Sequence, residues 1–384
     1  MNLKRLLPLY LGAAIGPMGG IGIVPLIPVF AGDWSVEFGT AALAITFYMA
    51  PYIFIQIFSG SMAQIFDVRK TLLFGFATYA LGGLLCGLSP NLWALLGSRV
   101  VQGVGAAFLT PIIMALIGEL VPARQVGKAI GILGLAYTVG VTLGPLISGW
   151  IEVRYGWPGF FYFLAALSVM AGVLYGISSE VIKREEDGQA GVLAIFPILR
   201  HALSQPGVLY LSFSAFSLFI GYIGIMTFTA DHLKSNLSLP SDQIGAVLSV
   251  TGFSGIIVSP IAGFLGDRLG RRNVFLGGAA IALASIALMA CVTYSYSTYL
   301  ILFLVLGTGA ATAWTSLNTM AVQISVSLRK PVTSVYNAIK FTGYAVSPVI
   351  LSVIYDPFQL RAVQFGCMGA VMISSFLATR AKVR

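Results

Sequence analysis

Long apolar stretches, separated by short polar breaks, run along the whole chain. In windows of about 19 residues the stretches follow one another almost without pause, and each is long enough to cross a bilayer as a helix. The pattern therefore predicts an all-α membrane protein of about twelve transmembrane helices. The predicted spans, numbered 1 to 12, are residues 7–31, 38–63, 71–89, 92–118, 127–150, 158–177, 208–230, 242–265, 273–293, 298–324, 331–354 and 360–379.

Composition agrees with this pattern. Of the 384 residues, 58% are hydrophobic and 9% are charged, whereas about a quarter of the residues in a soluble domain are charged. This excludes a water-soluble globular protein. The basic start, Met1 to Arg5, leads into an apolar run without an evident small-residue cleavage site, so we expect this run to be retained as span 1.

Positive charges are distributed unevenly about the spans. Of the 22 lysines and arginines, 17 fall in the two termini and in the connections on the same side as the termini. The connections on the other side contain Arg154, Lys234 and Arg361. Because cytoplasmic loops of membrane proteins are rich in Lys and Arg, we predict a multi-pass cell-membrane protein with both termini in the cytoplasm. Topology then explains the net charge of +9 without a nucleic-acid partner.

One long polar break divides the chain. It runs from Ser178 to Pro206 and contains the charged segment 183–187, and residues 192–203 resemble an amphipathic surface helix. The predicted organisation is an N-terminal six-helix bundle (1–177), a cytoplasmic linker (178–207) and a C-terminal six-helix bundle (208–384).

The two sets of six spans resemble each other. Three segments recur at an offset of 203 or 204 residues: 60–69 with 263–272, 140–145 with 343–348, and 103–107 with 307–311. Since the offset covers six crossings, the repeats are parallel, and a substrate site is expected between them near the bilayer midplane.

The connection between spans 8 and 9 carries a ten-residue motif. It reads Gly263-Phe-Leu-Gly-Asp267-Arg268-Leu-Gly270-Arg271-Arg272. The motif resembles the cytoplasmic loop signature of the major facilitator superfamily, so the resemblance implies that fold and a cytoplasmic gate. Gly263 is expected to permit close helix approach and Gly270 a tight turn. Asp267 is expected to pair with the arginines when the cytoplasmic side is closed and to separate from them when it opens.

A degenerate copy of this motif lies in the first half. Gly60 and Arg69 are kept, but Gln64 stands at the position of the acid and Asp67 at that of the glycine. Whether this copy still acts as a gate stays open.

Span 4 contains an intramembrane arginine. The segment Arg99-Val-Val-Gln102-Gly103 is similar to the fourth-helix motif of the family, in which the arginine is linked to proton coupling. A charge in the membrane needs a wet cavity or a partner. The alternative is that Arg99 snorkels outward or only pairs structurally.

Span 5 carries Gly140, Gly144, Pro145 and Gly149. This spacing resembles the fifth-helix motif of the family's drug and proton antiporter branch. Glycines four residues apart form a flat surface for close helix contact, and proline removes one backbone hydrogen bond. Simple small-residue packing is the alternative interpretation.

Span 11 contains a second intramembrane cation, Lys340. Tyr336, Asn337, Tyr344 and Ser347 lie three, four or seven positions away, so they share a face with it. This polar stripe predicts a cavity lysine that binds an anionic group or exchanges a proton. The alternative is a buried lysine bonded to a carbonyl oxygen or a neighbouring helix.

Carboxylates are absent from the middle of every predicted span. Members of the antiporter branch often keep one in the cavity. Here that role would fall to Asp33 or Asp231, which are predicted to lie at the cavity rim, or to Lys340 itself. Four further side chains are predicted to contact substrate, and the resemblance implies that spans 1, 4, 7 and 10 surround the cavity. The four are Tyr137, Tyr222, Trp314 and Asn318.

The leading hypothesis is a secondary transporter, a proton-coupled antiporter that exports small amphipathic compounds by alternating access. The alternatives are a small organic anion symporter or uniporter and a non-transporting membrane receptor. An enzyme is not expected, because His201 and His232 lie in opposite connections and no nucleotide or metal motif is present. We expect a monomer in the lipid bilayer with no metal and no cofactor beyond a driving ion gradient. The substrate is not determined by these patterns.

Overall fold

The computed structural model describes residues 3–65, 67–178, 200–205, 207–291, 295–324 and 329–381. Within these residues the regular structure is helical, and 12 helices are long and apolar enough to cross a membrane. The prediction of an all-α protein of about twelve spans is confirmed. The charged segment 183–187 and residues 192–199 of the predicted surface helix lie outside the described residues.

Span 1 consists of helices Leu3–Ile21 and Ile27–Asp33 joined by a 3₁₀ turn. The other helices of the first half are span 2, Phe38–Ile65; span 3, Val68–Gly87; span 4, Leu92–Leu120; span 5, Val126–Tyr155; and span 6, Pro158–Ser178. Those of the second half are span 7, Val208–Ser235; span 8, Ser241–Leu269; span 9, Arg271–Cys291; span 10, Tyr296–Gln323; span 11, Pro331–Tyr355; and span 12, Pro357–Arg380.

Small polar residues and backbone breaks end the helices at the short connections. Asp67 and Asn91 cap spans 3 and 4, each accepting a hydrogen bond of 2.9 Å from a backbone N–H of the first turn. Gly270 ends span 8 at φ 86°, a conformation that glycine adopts without steric cost. Gln359 breaks the helix near the start of span 12 at φ 61°.

Glycines at equivalent positions of the two halves make equivalent contacts between spans 4 and 2 and between spans 10 and 8. A Cβ on Gly103 would overlap the carbonyl oxygen of Tyr48, and a Cβ on Gly307 would lie 2.6 Å from that of Thr251. Tyr48 and Thr251 are themselves 203 positions apart. Small residues let helix backbones approach closely in membranes, so the repeated sequence produces repeated packing.

The same correspondence holds for spans 5 and 11. A Cβ on Gly140 would overlap the carbonyl oxygen of Ala14 in span 1, and one on Gly343 would overlap that of Phe216 in span 7. The exact division at residues 177 and 208 stays a prediction.

The two halves contact each other at the end of the molecule opposite the termini, called the far end below. Gly149 and Gly252 contact span 8 and span 5 so closely that a Cβ would overlap Ser241 and Thr142, respectively. Phe38 at the start of span 2 packs against Phe228, with ring centroids 5.4 Å apart. The far end is therefore closed.

Toward the end that carries the termini, the halves diverge. A Cβ on Gly131 or Gly134 of span 5, or on Gly263 of span 8, would meet none of the described atoms within 4 Å. The close helix approach predicted at Gly263 is therefore not what this structure shows, because none of the described atoms lies against Gly263 at this end. The molecule is closed at the far end and open at the termini end.

Candidate functional site in the central cavity

Lys340 lies in span 11 among aromatic rings and is 8% exposed. Its Nζ donates a 2.8 Å hydrogen bond to Asn337 Oδ1. The same atom lies 4.5 Å from the ring centroid of Phe341, 5.3 Å from that of Tyr336 and 5.6 Å from that of Phe219. We call these five residues the Lys340 box. Ring faces attract a cation and compensate part of its lost hydration.

Two predicted contact residues of span 10 form the rim of this box. Trp314 packs against Phe219 of span 7 with centroids 6.0 Å apart and against Tyr222 at 5.6 Å. Asn318, one turn later, is exposed and accepts a 2.9 Å hydrogen bond from Tyr336 Oη. Both side chains therefore face spans 7 and 11, on the inner side of the second half.

The first half reaches the box through a residue that the sequence patterns missed. Tyr52 of span 2 meets the Phe341 ring nearly edge-on at 5.7 Å and 87°. Nearby, Thr46 Oγ1 donates a 2.6 Å hydrogen bond to the carbonyl oxygen of Ala345. The one sequence signal for Tyr52 was its spacing, since it follows Tyr48 by one helical turn.

Arg99 is fully buried inside the first half, at 0% exposure. Its Nε donates to the carbonyl oxygen of Ala44 at 3.1 Å, its Nη1 donates to Gln102 Oε1 at 2.5 Å, and its guanidinium lies 4.2 Å from the ring centroid of Tyr48. Snorkelling is therefore wrong, because a snorkelling side chain keeps its charge in water. Two donors, Arg99 Nη2 and Gln102 Nε2, are buried without a hydrogen-bond partner in the described part of the chain.

An aromatic array joins the two intramembrane cations. Tyr48, beneath Arg99, stacks on Tyr52 with centroids 6.3 Å apart and planes 13° apart. Tyr52 in turn contacts Phe341, which lies against Lys340 Nζ. The array crosses from the first half to the second at the contact between Tyr52 and Phe341.

The other predicted contact tyrosines border the same region. Tyr137 of span 5 is half-buried and donates to the carbonyl oxygen of Thr110 at 3.3 Å. The hydroxyls of Tyr222 and Thr251 are hydrogen-bonded at 3.0 Å. Tyr344 is buried and packs on Phe219 at 6.5 Å. These tyrosines are thus held by neighbouring spans.

The two rim carboxylates lie at the far end. Asp33, at the end of span 1, is exposed and accepts a 3.0 Å hydrogen bond from Trp157 Nε1. Placing Asp33 in the cavity was therefore wrong, because span 1 carries it beyond the closed end. Asp231 accepts a hydrogen bond from Tyr355 Oη, next to the contact between Phe38 and Phe228.

The loop motif of the second half bonds only within that half in the described contacts. Asp267 pairs with Arg271, which also donates to the carbonyl oxygen of Gly263 at 2.7 Å. Arg268 lies over the Phe264 ring at 4.2 Å. The Asp267–Arg271 pair is intact although the termini end is open. The expectation that opening separates this pair is therefore wrong.

The motif copies share one contact and differ in another. Arg69 donates to the carbonyl oxygen of Gly176 at 2.5 Å, and Arg272 donates to that of Ala381 at 2.5 Å. Each arginine thus binds the end of the last span of its own half. Asp67, by contrast, caps span 3 and forms no counterpart of the Asp267 pair among the described contacts. The surroundings of Gly60 and Gln64 lie outside the described side chains.

The span 5 motif packs on two helices. Gly140 and Gly144 face span 1, where a Cβ on Gly144 would lie 2.8 Å from the carbonyl oxygen of Met18. Gly149 faces span 8, and the carbonyl oxygen of Pro145 lies against Gly245 of the same span. The motif therefore forms part of the contact that closes the far end.

Metal and thiol chemistry find no support in the described residues. Among them, no group of three or more His, Cys, Asp or Glu side chains could hold a metal ion. Among the cysteines, Cys86 and Cys367 are buried and Cys291 is exposed.

Comparison with known sequences relates the whole chain to one family. The sequence profile of the Major Facilitator Superfamily matches residues 9–230 and 211–383. The chain is 23% identical to "Riboflavin transporter RibZ" of Clostridioides difficile over 72% of this chain and 70% of that protein. It is also 23% identical to "Multidrug resistance protein B homolog" of Mycobacterium tuberculosis, over 68% of this chain and 58% of that protein.

Comparison with solved structures shows a known fold that matches this chain over its whole length. The crystal structure of a bacterial homolog of the human lysosomal transporter Spinster, in an inward-facing and occupied conformation, matches with a TM-score of 0.77. The match covers 100% of this chain and 98% of that one at 17% identity. This similarity shows the fold.

Proposed function

Because the chain belongs to the Major Facilitator Superfamily and is a transporter of that family, we propose that it is a proton-coupled antiporter of small amphipathic compounds. The family is not an enzyme class, and the alternating-access cycle needs no chemical step. In this proposal the protein lies in the cell membrane with its termini and its open end on the cytoplasmic side. Substrate for export enters from that side.

One observation carries the proposal. The two halves are packed at the far end and separated at the termini end, and the central side chains lie between those regions. Rocking of two halves about a fixed midplane site is how parallel-repeat transporters alternate access. The central side chains include aromatic rings and amides together with a cation, a combination that suits amphipathic molecules.

Proton coupling is assigned to Arg99 with Gln102 in this proposal. Their two unbonded donors are buried in the membrane, where an unsatisfied polar group is costly. Neither group titrates, since an arginine stays protonated in proteins and an amide carries no exchangeable charge, so Arg99 and Gln102 would act on coupling through their field and hydration. The described mid-membrane side chain that can release and take up the proton is Lys340. The similarity to a protein named as a multidrug resistance protein B homolog supports the export of small amphipathic compounds in this proposal.

A second candidate function is transport of small organic anions by symport or uniport. The Lys340 box favours it, since Lys340 lies in a membrane interior whose spans carry no mid-membrane carboxylate. The riboflavin transporter similarity is consistent with a substrate that has a flat ring system.

The test uses purified protein in proteoliposomes with the pH set independently on each side. The probes are ethidium, riboflavin and 2-naphthoate, and a trapped pH dye reports proton movement. We expect substrate efflux to accelerate when protons flow inward and expect the dye to register protons moving opposite to substrate. Transport that ignores the pH gradient would contradict antiport, and proton flow in the same direction as an anionic probe would favour the symporter.

A further inference from the structure

We propose that the Lys340 box and its rim recognise a planar aromatic monoanion, with Lys340 binding the anionic group and Trp314 and Phe219 binding the ring. This deepens the function proposed above by naming the substrate class, and so it rests on the transport role of the cavity. The site is built from side chains of spans 7, 10 and 11, and Tyr52 of the first half lies at its edge.

The cation is the first element of the argument. An ammonium group has three donors, and the described acceptor for Lys340 Nζ is the single amide oxygen of Asn337. Three ring faces supply the rest of its environment. Aromatic faces return only part of the hydration energy that a cation loses on burial. An anionic ligand would supply the missing charge compensation.

The aromatic groups are the second element. Phe219 contacts both Lys340 Nζ and Trp314, whose ring is inclined by only 30° to that of Phe219. Trp314 is half-buried and so keeps part of its surface accessible. Aromatic pairs in offset-stacked or edge-to-face geometry gain energy beyond the area that they bury. A flat ring bound beside the ammonium group uses this geometry better than an alkyl chain does.

The amide rim is the third element. Asn318 is exposed and Asn337 is half-buried, and each amide oxygen already accepts a bond from Tyr336 or Lys340. The amide N–H₂ groups are donors and are therefore suited to a carboxylate or another acidic oxygen. The second intramembrane cation, Arg99, bonds to Ala44 and Gln102 and is fully enclosed inside the first half at 0% exposure. A single available cation selects one negative charge.

The contact with Tyr52 links recognition to the conformational change. Tyr52 belongs to the first half and contacts Phe341 of the second half. Phe341 is the ring nearest to Lys340 Nζ. A ligand at the box therefore lies beside a contact between the halves. Binding of a ligand therefore also acts on the contact between Tyr52 and Phe341, which must rearrange when the two halves move during transport.

The experiment measures equilibrium binding by calorimetry to the full-length protein in lipid nanodiscs, at one pH and without an ion gradient. Three probes separate charge from shape: 2-naphthoate is aromatic and anionic, 2-naphthylmethanol is aromatic and neutral, and cyclohexanecarboxylate is anionic and not aromatic. We expect 2-naphthoate to bind about tenfold or more tightly than either of the others, because a charge-assisted hydrogen bond contributes on this scale.

The variants assign the two parts of the site. Lys340→Met should weaken 2-naphthoate about tenfold or more while changing 2-naphthylmethanol less than about twofold, and Lys340→Arg should restore part of the loss. Trp314→Leu should weaken both aromatic probes. Lys128→Met, at an exposed lysine of span 5 remote from the box, is the matched control and should bind all three as the parent does.

Unchanged 2-naphthoate binding in Lys340→Met, or equal affinity for all three probes in the parent protein, overturns the proposal. Absence of binding by all three probes overturns it as well. If Lys340→Met does not fold, the probe ranking in the parent, together with Lys340→Arg and Trp314→Leu, decides. Because binding is measured without a gradient, failure of proton-coupled antiport in proteoliposomes would leave this result intact, so the two failures are distinguishable.

Discussion

The two halves of the molecule each hold one cation within the membrane, and the two environments differ. Arg99 is fully enclosed by spans 2 and 4 of its own half, with a backbone carbonyl, an amide and a ring as neighbours. Lys340 lies beside half-buried rings and amides and touches the interface with the first half through Phe341. The two cations do not occupy equivalent positions of the repeat, because Arg99 lies in span 4, whose counterpart is span 10, and Lys340 lies in span 11, whose counterpart is span 5.

The loop motifs differ in a comparable way. Arg69 and Arg272 bind equivalent helix ends, whereas Asp267 pairs with an arginine and Asp67 caps a helix. The arginine contact is therefore kept between the halves, as the glycine contacts are, while the carboxylate contact differs.

The largest effect is expected for Arg99→Ala. Removing the guanidinium leaves Gln102 without its buried partner and should reduce pH-gradient-driven transport by about tenfold or more, the size of a typical coupling factor, while substrate binding stays measurable. Paired calorimetry and proteoliposome flux check this. Arg154→Ala, at the far-end terminus of span 5, is the control. An unaltered response to the gradient would assign Arg99 to structure alone.

Next in size are the paired substitutions Gly103→Ala and Gly307→Ala. Both place a methyl group against the backbone of a neighbouring helix, so each should lower the free energy of unfolding by about 1–3 kcal/mol, as overpacking does. Thermal unfolding in nanodiscs measures the effect. Gly131→Ala, which meets no described atom, should be neutral or stabilising. If only one of the pair is destabilising, the equivalence of the two halves in packing fails.

A smaller effect is expected for Asp267→Asn. Its pair with Arg271 is largely exposed, since the Asp267 side chain is 71% exposed, so turnover should slow by about two- to fivefold with little change in binding. Asp67→Asn is the comparison, because asparagine caps a helix as well as aspartate does, and its turnover should match that of the parent. Equal slowing in both variants would contradict the different roles of the two loops.

The smallest effect is expected on the stability of Lys340→Met. Replacing a buried charge by an apolar side chain of similar length is often neutral or stabilising, so the free energy of unfolding should change by less than about 1 kcal/mol. Thermal unfolding without ligand measures it. Destabilisation as large as that of Gly103→Ala would indicate that Lys340 holds the second half together rather than serving a ligand.

Much of the site could be expected from local patterns. The helical spacing around Lys340 placed Asn337 and Tyr336 beside it, and both contact its Nζ. Tyr52 was missed because its importance comes from a contact between residues that are 289 positions apart. The assignment of Asp33 to the cavity was wrong, because a hydropathy pattern locates the end of a span but does not show which end of the cavity is closed.

The sequence by itself determined the twelve spans and the repeated glycines, since bilayer thickness and close helix packing act on local stretches of chain. Only the tertiary structure decided which cation is enclosed and which faces the interface. It also decided that the far end is closed while the Asp267–Arg271 pair stays intact at the open end. These outcomes depend on how two separate bundles meet, and contacts between distant helices leave no periodic signal in a single chain.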